Sequence, residues 1–117
     1  MFFSKMKLNE DKIPAQLKLA CALNKLLLIN KKKHLKNKKE GINDLSLDHS
    51  YDKISSRTGL RLATISDVFS GKSDVKISTI ELLLDSMGFT YTKLGTIMDK
   101  ISNEEATEYI NSKKGKA

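Results

Sequence analysis

Glycines divide the middle of this chain into pieces too short to fold alone. Gly41, Gly59, Gly71 and Gly88 separate apolar-periodic segments, and Ser50 and Ser78 stand where two of those segments begin. Glycine readily takes the left-handed backbone that ends a helix, and serine caps a helix start. Residues 50–88 therefore read as three short helices joined by sharp turns. Isolated helices of fewer than about 12–15 residues are marginal in water, so these must pack against one another and against a longer partner.

That partner is predicted upstream. Pro14 suits a first helical turn, and Asp11 lies close to the start. Ile13, Leu17, Ala20, Cys21, Leu23, Leu27 and Leu28 recur at helical spacing and predict a broad apolar face. The helix can run on through the lysine-rich stretch 31–39 to Gly41. That stretch reads as a solvated helix end in preference to a dedicated arm. Downstream, Ile54 faces inward on the second helix, and Ile65, Val68 and Phe69 do so on the third. Ile80, Leu83, Leu84 and Met87 form the stripe of the fourth helix, after the Ser78 cap. A fifth helix over about 92–101 uses Leu94, Ile97, Met98 and Ile101. Ser102 or Asn103, followed by Glu104 and Glu105, starts a last helix that leads into a basic tail at Lys113. The expected fold is all-α. Residues 1–12 form an arm, 13–101 a five-helix domain, and 102–117 an additional C-terminal helix with its tail.

Net charge is +7, unevenly placed. Residues 1–40 carry +8, residues 41–90 carry −2 and residues 91–117 carry +1. A basic chain suits a polyanionic partner, although here the excess lies outside the central helices. Cys21 is the single cysteine, which rules out an intrachain disulfide and fits a reducing cytoplasm. It reads as a small buried apolar residue. The Leu26–Ile29 run is too short to span a bilayer, and charged Lys18 argues against a lipoprotein box at Leu17–Cys21. His34 and His49 have no partners at metal-ligand spacing. Adjacent Asp48, His49 and Ser50 cannot assemble a catalytic triad, which is defined by spatial roles. No glycine-rich phosphate loop is present. The chain reads as non-enzymatic, with no cofactor and no membrane association.

Ile54-Ser55-Ser56-Arg57-Thr58-Gly59-Leu60 resembles the second helix and turn of the Cro and lambda-repressor-like (XRE-type) helix-turn-helix family. Ala63-Thr64-Ile65-Ser66-Asp67-Val68 resembles its third helix, Ser70-Gly71-Lys72 the exit, and Ser78–Leu83 the fourth helix. The motif spans residues 50–71. The resemblance implies a compact lambda-repressor-like fold, a sequence-specific double-stranded DNA partner and a homodimer acting as a repressor. The third helix would then enter the major groove. Leu62, Ala63, Ser66 and Asp67 would point outward there, and Arg61 is placed to read guanine. Ser50, Tyr51, Thr64, Ser70, Lys72 and Lys76 are the expected phosphate contacts. The sequence departs from the family at three points: the link from the first to the second helix is longer than usual, and two residues differ. Arg61 stands where Ser or Thr usually caps the third helix, and Phe69 where Glu often pairs with an Arg. The alternative function is a protein-binding module, such as the antitoxin of a toxin–antitoxin pair, with a toxin as partner.

Overall fold

A computed structural model describes residues 15–41, 48–72 and 74–115. The expected arm at 1–12, the helix start at Ile13 and Pro14, and most of the link at 42–47 lie outside the described residues. Six helices follow one another among those described, with no strand. They are α1 (Ala15–Lys39), α2 (Tyr51–Thr58), α3 (Leu62–Phe69), α4 (Ile77–Met87), α5 (Tyr91–Lys100) and α6 (Asn103–Gly115). The all-helical class matches the expectation from periodicity.

α1 is the axis on which α3, α4, α5 and α6 pack, while α2 packs on α3 and α4. Its first four turns supply Ala20, Cys21, Ala22, Leu23, Leu26 and Leu27 to the core, each less than 4 % exposed. The predicted stripe included Leu28, but Leu28 is 43 % exposed and Leu26 is buried in its place. The run 26–29 is apolar on every side, so periodicity cannot orient it. The face that tertiary contacts choose continues instead to Asn30. Beyond Asn30, α1 carries its lysines into solvent as far as Lys39. Lys36, Lys38 and Lys39 lie in the last turn, where cations complement the helix dipole.

Asn30 ties the core together. Its Nδ2 donates to the carbonyls of Asp48 and Met87, both at 2.8 Å. The Ser86 hydroxyl donates to Asp48 Oδ2 at 2.6 Å, and Arg57 Nε does so at 2.8 Å. This cluster, buried at Asn30, Asp48 and Ser86 and exposed at Arg57, joins α1, the segment entering α2, α2 itself and the end of α4. Burying a carboxylate is tolerable only when it is paired and hydrogen-bonded, and Asp48 is both.

The starts of α4 and α5 differ by one or two residues from the expectation. Lys76, not Ser78, is the N-cap of α4, and it makes no side-chain cap; Ser78 falls inside the first turn. Thr90 caps α5 through its hydroxyl, which accepts from the Lys93 amide at 3.2 Å. Ser102 acts likewise for α6, accepting from the Glu105 amide at 3.0 Å. No helix among the described residues is long and apolar enough to cross a membrane.

Candidate nucleic-acid interface

The geometry of the site starts at the turn between α2 and α3. Ser50 has an extended backbone, and its hydroxyl accepts from the Lys53 amide at 3.2 Å, so α2 begins where the serine cap predicts. Gly59 ends α2 at φ 80°, its amide bonded to the Ser55 carbonyl at 2.9 Å. Two side chains then lock the turn. The Ser55 hydroxyl donates to the Leu60 carbonyl at 2.6 Å, and Thr58 Oγ1 accepts from the Leu60 amide at 3.1 Å. α3 leaves this turn in a fixed direction.

α3 has two faces. Ile65, Val68 and Phe69 are buried, as their spacing predicts. Arg61, Leu62, Ala63, Thr64, Ser66 and Asp67 are all exposed, and Leu62 is 48 % exposed despite its size. Arg61 is the N-cap, without a side-chain capping bond. At the position where the resemblance implies an ion pair, the Phe69 ring is fully buried and packs 4.9 Å from the Tyr51 ring. Apolar packing can replace a buried ion pair without loss of stability.

Beside the exposed face of α3 lies a cleft of about 660 Å³. Tyr51, Ser66, Ser70 and Lys72 line it, together with Lys31 of α1 and Lys113 of α6. Four of the expected contact residues therefore meet in one concavity. Ser50 adjoins it and spends its hydroxyl on capping. Arg61, Leu62, Ala63, Thr64 and Asp67 lie outside the cleft on the exposed part of α3 and its cap, and Lys76 stands apart at the start of α4.

Sequence reasoning did not single out the α6 wall. Tyr109 and Lys113 are one helical turn apart, so both reach the same side. The Tyr109 hydroxyl donates to the Phe69 carbonyl at 2.6 Å, and burial pushes its acidity well below that of an ordinary tyrosine. Lys113 Nζ donates to the Tyr51 hydroxyl at 2.9 Å and sits 5.4 Å and 5.6 Å from the centres of the Tyr51 and Tyr109 rings. A lysine four residues after a tyrosine, near the end of the last helix, was the available signal.

Two further features bear on other chemistry. His34 and His49 stack with ring centroids 3.7 Å apart, and burial, then His34, then Lys53 hold His49 below the usual histidine range. Cys21 is buried, and that burial raises its thiol above the ordinary range, which disfavours the reactive thiolate. Among the described residues, no three His, Cys, Asp or Glu side chains converge as a metal site would require. No family model, curated protein or solved structure matches this chain.

Proposed function

We propose that this chain is a sequence-specific double-stranded DNA-binding regulator of transcription, non-enzymatic, and acting as a homodimeric repressor of the lambda-repressor-like type. The observation that carries the reading is the α2–turn–α3 unit. A short helix with an exposed face is held in a locked turn beside a cationic cleft. In a helix-turn-helix complex the second helix of such a pair lies in the major groove. Leu62 and Ala63 then offer apolar contact to thymine methyl groups, Asp67 accepts from a cytosine amino group, and Arg61 reads guanine. Ser70 and Lys72 contact phosphate and set register.

Selection of bound duplexes from a randomised pool, repeated at several salt concentrations, tests this reading. The expected product is an inverted repeat whose half-sites lie about 34–36 Å apart, one helical turn. Recovery of no duplex above background overturns the reading and favours a protein-binding module instead.

A further inference from the structure

The three lysines of the cleft come from three separate elements: Lys31 from α1, Lys72 from the loop after α3 and Lys113 from α6. No carboxylate lines the cleft, and among the described residues none of the three forms an ion pair with an acid. Like charges gathered round one concavity repel one another, and an anion between them relieves that repulsion. The hydroxyls of Ser66, Ser70 and Tyr51 add polar partners. Lysine binds phosphate as a point charge, and hydroxyl donors complete such a site. Ser66 belongs both to the cleft and to the exposed face of α3, so a duplex lying along α3 brings its backbone to the cleft mouth.

We propose that this cleft holds a backbone phosphate of the bound duplex, and that Lys113 makes α6 part of the nucleic-acid interface together with Lys31. This rests on the DNA-binding reading above and extends it to two helices outside the α2–α3 unit. Tyr51 and Tyr109 serve as the positioning groups: their rings flank the Lys113 ammonium, and the Tyr51 hydroxyl accepts a hydrogen bond from it.

The test uses the full chain and fluorescein-labelled 30-base-pair duplexes of mixed sequence, titrated by anisotropy across a salt series. Lys31→Ala and Lys113→Ala are each expected to weaken binding several-fold on every sequence. Each should lower the slope of log K against log salt in part, and the double variant K31A/K113A by about 0.9, the value for one lost phosphate contact. Lys100→Ala, on exposed α5 surface outside the cleft, is expected to change neither. Thermal melts of the variants check that each remains folded. If the double variant K31A/K113A keeps the wild-type slope while Arg61→Ala weakens binding, the cleft assignment falls and the DNA-binding reading stands. If the wild-type chain shows no salt-dependent binding to any duplex, both fall. The same chains are titrated with inorganic pyrophosphate, followed by amide chemical shifts. A pyrophosphate response lost in the double variant, alongside an unaltered duplex slope, assigns the cleft to a free phosphate compound and overturns the proposal.

Discussion

Arg61 stands at the N-cap of α3 with an extended backbone (φ −70°, ψ 146°), yet its side chain makes no capping bond. That backbone is the one a capping serine adopts. Arg61→Ser is therefore expected to stabilise the fold by about 0.5–1 kcal/mol, through a new bond to a free amide in the first turn of α3. The same change removes the one side chain beside α3 that can bind guanine bidentately, with an expected cost of about 1–3 kcal/mol in duplex binding. Urea denaturation and duplex titration on the same variant should thus move in opposite directions. A variant that gains stability without losing affinity would place Arg61 outside the interface. His49 gives a second test at this scale. Burial, the stacked His34 and nearby Lys53 and Lys31 lower its pKa in the folded chain, against a smaller opposing pull from Asp48. Above the unfolded value of about 6.5 both states are neutral there, and His49 adds no pH dependence to stability. As pH falls through that value, the unfolded chain takes up the proton first and stability is lost. Urea midpoints measured between about pH 7.5 and 5.5 should therefore fall more for the wild type than for His49→Gln. Parallel curves would show that His49 titrates alike in both states.

The glycines that divide the sequence are not equivalent as elements of the fold. Gly59 has φ 80° and open space where a Cβ would stand. Gly59→Ala should cost about 1–2 kcal/mol, the left-handed penalty alone. Gly71 has φ 69°, and a Cβ there would lie 2.7 Å from Leu17 Cδ2 and 3.2 Å from Ile110 Cδ1. Gly71→Ala should cost the same backbone penalty and about 1–3 kcal/mol more for overpacking between α1 and α6. Urea unfolding of the two variants side by side checks the ranking; equal costs would show that the Leu17 side chain moves away freely. This contrast also marks what the sequence could disclose. The positions of the turns were legible, because Gly59 and Gly71 are local signals and Ser50 is a local cap. Ile65, Val68 and Phe69 were legible from spacing on a helix with one apolar face. The choice of Leu26 over Leu28 was not, because four adjacent apolar residues have no preferred side. The cluster of Asn30, Asp48, Ser86 and Arg57 was hidden for another reason: its members are up to 56 residues apart and meet only in the folded chain. The cleft was half legible. Tyr51, Ser66, Ser70 and Lys72 lie near the motif, whereas Lys31 and Lys113 reach it through tertiary packing.

At the scale of the molecule, α6 belongs to the same core as the helices before it, although the sequence sets residues 102–117 apart as an addition. Ala106 is fully buried and Ile110 is 5 % exposed. Lys25 of α1 pairs with Glu105, an interaction that raises the Lys25 pKa. Both side chains are 41 % exposed, and solvent-exposed pairs contribute little to stability, so the apolar contacts carry the attachment. The bond from the Tyr109 hydroxyl to the Phe69 carbonyl then connects α6 to the end of α3. Loss of α6 packing should consequently be felt by the exposed face of α3 and not only at the C-terminus. Ile110→Ala is expected to destabilise the whole chain by about 2–5 kcal/mol, the range for emptying a buried isoleucine site. Because α1 carries α3, α4, α5 and α6 together, the loss should appear as one cooperative transition at a lower urea midpoint. Helical circular dichroism and the amide resonances of α3 should report the same midpoint. If α6 resonances melt first while those of α3 keep the wild-type midpoint, α6 is a separable attachment, and its lysine reaches the cleft without helping to build it.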